Sequence, residues 1–278
     1  MADALNDDWF VQEDIVDDGD VSDGPGDQSD DITKNEKPTK QKKKKGDRKR
    51  KMKDGEETSK VEKKKKKKRK KKPAKPKDGT ELPSTAQALW NYFEEELKKT
   101  LSELELSEIR PEHDEWFLKP DVEHENISSY LKEVIEDWQS DMDSHTKLKI
   151  KSSPAMLIIS SGGQRAVDLL RETKAFRGEQ CKCTKLFAKH FKVSEQVKYL
   201  KSNIVHLGVG TPNRILKLIE EDGLDLSNVK YIIIDWSWRD VKTRQITTMP
   251  GVNEDLRTLF EKYLFERCRM KSLQVGLF

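Results

Sequence analysis

Three groups of residues in this chain have types and spacings suited to chemistry, and the first is an aspartate. In "NVKYIIIDWSWRD", Asn228 to Asp240, the apolar run Tyr231–Ile234 ends on Asp235. A buried strand that carries a carboxylate to the surface is how a nucleotide-hydrolysing enzyme holds Mg²⁺, often with an acid next to it for the attacking water. Here the following residues are Trp236 and, two further on, Trp238. An indole has one N–H donor and no acceptor, so neither tryptophan can hold a metal-bound water or take a proton. Flanking Ser237 in an extended segment, the two rings are expected to share a side. One reading makes them core that fills an empty cleft. The other makes them an aromatic platform for a base or a partner side chain.

The second group opens a helix. In "GTPNRILKLIEEDG", Thr211 suits an N-cap and Pro212 the first helical position, with Gly223 as the stop signal. Such a start exposes backbone N–H groups and the positive end of the helix dipole, and Arg214 in the first turn adds a charged donor for a backbone phosphate. The competing reading is a capped helix with an exposed arginine. On either reading Arg214→Ala is expected to leave the fold intact, since the cap remains and alanine favours helix.

The third group is Cys181, Cys183 and His190. The C-x-C spacing has no second ligand pair, so free thiols are expected over a zinc site, and no cofactor is called for. Three cysteines in a lysine-rich chain fit a reducing compartment.

The elements that must position these residues follow from periodicity. From Pro154 onward, short apolar runs alternate with helical patterns. "AMLIIS" (155–160), "KLFA" (185–188), "NIVHLGV" (203–209), "YIIID" (231–235) and "LQVGLF" (273–278) read as strands, with helices after the first four, including Val193 to Leu200 and Leu256 to Phe265. The pattern implies right-handed crossovers and a mainly parallel sheet covered on both faces: an α/β fold. Upstream, Ser84 and Gln87 fit a capping box for a helix bearing Leu89, Phe93, Leu97, Leu101 and Leu104. A second helix is expected from Asn126, with Ile127, Leu131, Val134, Ile135, Trp138 and Met142 inward. The expected organisation is a tail over 1–79, a helical part over 80–150 and an α/β core over 151–278.

Composition accounts for the tail. Only 33% of the chain is hydrophobic and 38% is charged, and the net charge of +3 hides a strong segregation. Residues 1–31 carry twelve acids and no Lys or Arg, whereas residues 40–77 carry 23 Lys/Arg against five acids. Blocks of like charge repel, and little apolar surface here could offset ordering entropy, so residues 1–79 read as disordered. The basic clusters are Lys42, Lys43, Lys44, Lys45, Arg48, Lys49, Arg50 and Lys51, then Lys63, Lys64, Lys65, Lys66, Lys67, Lys68, Arg69, Lys70, Lys71 and Lys72. They suit a nuclear or nucleolar address and sequence-independent phosphate contact. Lysine tracts do not distinguish RNA from DNA, so DNA stays open as a partner. Ser22 and Ser29, among aspartates, are candidate sites for an acid-directed kinase. No apolar run is long enough to span a bilayer, so no membrane partner is expected, and the acidic N-terminus lacks the n-region of a secretory signal.

Taken together, these motifs resemble the first RecA-like lobe of DEAD-box RNA helicases. "AMLIISSGGQRAVDLL" is similar to motif Ia, "IVHLGVGTPNRILKLI" to motif Ib with its T-P-G-R, and "LSNVKYIIIDWSWRD" takes the place of motif II, D-E-A-D. "AFRG", "KLFAKHFKV", "HLGVGTPNR", "DWSWRD" and the final "GLF" resemble more closely the CMS-type proteins, a degenerate helicase-like family of nucleolar small-subunit ribosome assembly. The resemblance implies a single RecA-like lobe, residence in the nucleus and nucleolus, and work with pre-ribosomal RNA and other ribosome-assembly proteins. It implies RNA contact at Thr211, Asn213 and Arg214, although Asn213 departs from the usual Gly. Gly162 and Gly163 replace the usual Thr and Arg of motif Ia, with Arg165 as a nearby substitute. Lys189 and His190 stand near the helicase G-G position.

The departures from the helicase pattern bear on catalysis. No G-x-x-x-x-G-K-[ST] loop is present, and the helix from Asn126 starts at "HENISSYL", without Gly or Lys. Motif II has lost its second acid. The resemblance also places Phe278 just before S-A-T and leaves no second lobe to supply an arginine finger. The expectation is a non-enzymatic, RNA-associated assembly factor. A protein-interaction scaffold with the tail as address, or an ATPase completed by a partner, are the alternatives.

Overall fold

Runs of four consecutive apolar residues build the centre of the molecule. In a computed structural model, residues 83–111, 114–119, 124–189 and 191–278 are described. The basic clusters, Ser22, Ser29 and His190 lie outside the described residues. Strands β1 (Met156–Ile159), β2 (Cys183–Leu186), β3 (Leu207–Gly210), β4 (Tyr231–Ile234) and β5 (Gln274–Leu277) pair in the order β2-β3-β1-β4-β5, every pair parallel. Successive side chains feed opposite cores, as the strand period of two requires. Leu157, Ile159, Ile232 and Ile234 enter one core, while Met156, Ile158, Tyr231 and Ile233 enter the other. Burial on both faces is why these strands read as unbroken apolar runs. Each fully buried isoleucine contributes roughly 1.5–3 kcal/mol.

Helices cover both faces. On the first face lie α1 (Ala86–Leu97), α2 (Glu103–Ile109), α7 (Val193–Ser202), α8 (Pro212–Glu220), α9 (Val252–Leu259) and α10 (Phe265–Arg269). On the second lie α3 (Ile127–Val134), α4 (Trp138–Lys147) and α5 (Gly163–Glu172), with the short α6 (Lys174–Arg177) after them. One π-turn, Phe260–Leu264, joins α9 to α10 within the expected Leu256–Phe265 stretch. It brings Phe260 and Phe265 onto Phe93, at centroid distances of 4.5 and 5.2 Å. Gly210 is required at the end of β3, because a Cβ there would lie 2.0 Å from the Leu186 carbonyl oxygen.

The upstream helices differ from expectation in two ways. Thr85, not Ser84, caps α1 by accepting from Ala88 N at 3.2 Å, and the helix ends at Leu97. Ser102 then starts α2 with its own capping box to Glu105, and this restart turns Leu104 out to 71% exposure. A cap satisfies orphan N–H groups locally, so Ser102 overrides the continuous apolar stripe. The expected helix from Asn126 starts there, with Asn126 as its cap, but Ile135 goes extended and splits it into α3 and α4. Its six inward residues stay buried or half-buried because each piece docks separately.

Candidate functional site

The carboxyl ends of β1, β3 and β4 gather most of the described candidate residues. Pairing of β1 with β4 sets Ile159 beside Ile234, so Asp235 emerges next to the turn that opens α5. Arg165 stands in the first turn of that helix. Its Nε donates to Asp235 Oδ2 at 3.0 Å and its Nη2 to Oδ1 at 2.9 Å, a fork-on-carboxylate pair. A cation in a helix's first turn is unfavourable alone, and the Asp235 carboxylate offsets it. Burial pushes the Asp235 carboxyl above its ordinary range, and the Arg165 guanidinium opposes that shift. The guanidinium also lies 5.8 Å from the Trp238 ring centroid and 5.9 Å from that of Phe278.

The two tryptophans do not share a side. The chain bends at Ser237, which breaks the period of two. Trp236 is 1% exposed, packs edge-on to Tyr92 at 5.8 Å and belongs to the first-face core. Trp238 is half-buried over Arg165. Burial of Tyr92 beside Trp236 pushes its phenol up to about 12. Trp236 therefore takes the space-filling role, while Trp238 braces the ion pair.

Arg214 is not the exposed arginine of a capped helix. It is 6% exposed, and its Nη1 donates to the Phe191 carbonyl at 2.9 Å and to Gln196 Oε1 at 2.7 Å. Gln196 in turn donates to the Lys185 carbonyl at 2.9 Å, so one polar chain ties α8 to α7 and β2. The physical reason is packing: α7 and α8 lie side by side, and a first-turn side chain of α8 points between them. The expectation that Arg214→Ala spares the fold is overturned. That substitution is expected to cost about 2–3 kcal/mol, since it leaves a buried amide and carbonyl without their charged donor. A urea titration checks it; an unchanged midpoint at unchanged m-value contradicts the assignment.

The remaining candidates spread along the same edge. Thr211 is the N-cap of α8 with extended dihedrals but makes no side-chain cap hydrogen bond, leaving the helix start open. Asn213 is exposed in the first turn of α8, close enough to Asp255 of α9 to favour its carboxylate. Lys189 is exposed just past β2. Cys181, Cys183 and Cys268 are free and buried, with 3.7 Å between the first two sulfurs. Among the described residues no group of His, Cys, Asp or Glu is arranged to hold a metal, and no helix is long and apolar enough to cross a membrane.

Sequence reasoning missed Gln196, Phe191, Tyr92 and Phe278 as partners of the site. For Gln196 a signal existed: it occupies the apolar face of α7 with Val193, Val197 and Leu200, and a polar residue there needs a buried partner.

Protein CMSS1 of Homo sapiens is 41% identical over 207 residues, covering 74% of this chain and 70% of that protein. Protein CMSS1 of Xenopus laevis is 37% identical, covering 66% of this chain and 64% of that one. Protein cms1 of Schizosaccharomyces pombe is 30% identical, covering 60% and 58%. Among solved structures, a DEAD box protein from Methanococcus jannaschii aligns over 45% of this chain and 31% of its own, at 24% identity and a TM-score of 0.35. With residues 27–278 matched to the description "CMS1: U3-containing 90S pre-ribosomal complex subunit", the chain belongs to the CMS1 family.

Proposed function

We propose that this chain is a non-enzymatic, RNA-associated assembly factor of the small-subunit precursor. In this reading a helicase-like lobe serves as a fixed platform and the lysine tract supplies RNA affinity in the nucleolus. The observation that carries it is the Asp235–Arg165 pair. Both oxygens of the only motif II acid at its expected position accept from Arg165, and a buried Trp236 follows. The carboxylate that would hold Mg²⁺ already has its counter-cation inside the protein, so the lobe is locked without nucleotide. The missing Gly-rich lysine loop points the same way.

RNA contact by the lobe itself would fall to Thr211, Asn213, Lys189 and the open N–H groups of α8, with His190 beside them in sequence. Arg165 and Arg214, engaged inside, hold that edge in shape. Their engagement favours a second reading in which the lobe works mainly through protein contacts and the tail alone meets RNA. Calorimetric titration with Mg²⁺·ATP tests the non-enzymatic part: no binding is expected in the micromolar range. Saturable, Mg²⁺-dependent binding would return the ATPase reading to first place.

A further inference from the structure

The opposite edge of the sheet, where the strands begin, carries an open groove of about 280 Å³. Its lining includes the apolar residues Leu148, Ile150, Ala155 and Val229 together with Lys230 and Ser272. The polar base is already satisfied. Asp141 pairs with Lys230 and accepts from the Tyr231 hydroxyl at 2.9 Å, and His145 Nε2 meets the Ser153 carbonyl at 2.6 Å. Leu148, by contrast, is 71% exposed, a large apolar side chain left on the rim. It alternates with exposed Lys147, Lys149 and Lys151, in a stretch from Ser144 to Ala155 that contains no acid. Leu148 and Ile150 line the groove, and exposed Lys147, Lys149 and Lys151 flank them in the chain, a combination that fits an acidic peptide carrying a large apolar anchor.

This chain contains such a peptide. "DDWFVQE", Asp7 to Glu13, places Trp9, Phe10 and Val11 between acids, inside a block with no Lys or Arg. We propose that this segment docks into the groove of its own lobe, its aromatic residues against Leu148 and its carboxylates on Lys147, Lys149 and Lys151. The residues between Glu13 and Pro83 have a contour length on the order of 200 Å, so the tether reaches any face. Tethering raises the effective concentration to roughly millimolar, so weak intrinsic affinity suffices. An acidic segment held on the lobe is also withheld from the lysine tract, which stays available to phosphate.

The test is zero-length carbodiimide crosslinking of the dilute full-length chain with peptide mapping. Asp7, Asp8 or Glu13 is expected to join Lys147, Lys149 or Lys151. Leu148→Asp and, separately, the pair Trp9→Ala and Phe10→Ala are expected to reduce those crosslinks about tenfold, as loss of an anchor does. Leu148 is exposed, so its replacement leaves the fold intact, and circular dichroism checks this. Crosslinks confined to the lysines of 42–72 overturn the proposal. So do yields unchanged in both variants, or products joining two different molecules in an isotope-mixed sample.

Discussion

Replacing Arg165 by alanine is expected to destabilise the lobe by about 3–5 kcal/mol, because it strands the buried Asp235 carboxylate without its partner. Asp235 is 1% exposed, and both of its carboxylate oxygens accept from that one guanidinium. For a domain of this size the loss corresponds to roughly 10 °C in Tm. Asp235→Ala is expected to cost less, since Arg165 keeps Glu172 at 3.7 Å beside the Trp238 and Phe278 rings. The double alanine variant should lose clearly less than the sum, because no orphaned charge remains. Urea denaturation of the four proteins gives the coupling directly. Strict additivity, or a single-variant cost under about 1 kcal/mol, would show a pair of surface strength and remove the argument for a self-locked site.

Deleting residues 1–79 is expected to remove most RNA affinity and to flatten its salt dependence. Each phosphate neutralised on single-stranded RNA contributes a slope of about −0.7 in log K against log salt, so losing even six contacts changes the slope by about four units. The deletion touches none of the described residues, which begin at Pro83. Filter binding across a salt series measures both quantities. Unchanged affinity and slope would make the tail an address and move RNA contact, if any, to the lobe edge near Thr211 and Lys189. A residual slope of one or two units after deletion would count the lobe's own phosphates.

Periodicity and composition determined a good part of this protein. The apolar runs mark β1 and β4 closely because burial on both faces leaves no polar alternation to blur them, whereas β2 begins two residues before the expected run and β3 four residues after the start of its own. Asn126 caps its helix locally, and Thr211-Pro212 opens α8 without a side-chain cap hydrogen bond. That no G-x-x-x-x-G-K-[ST] pattern occurs and that Trp236 follows Asp235 is likewise plain from residue types alone. Tertiary structure decided the rest. Whether α1 ran on to Leu104 depended on Ser102 competing with an apolar stripe, and whether Trp236 and Trp238 shared a side depended on a bend at Ser237. The fates of Arg165 and Arg214 were set by neighbours distant in the chain: Asp235 through the β1–β4 pairing, and Gln196 through the packing of α7 on α8. An arginine in the first turn of a helix reads the same in sequence whether it faces phosphate or protein. Only the strand order and the helix placed beside it determine which carboxylate, amide or carbonyl reaches its fork first.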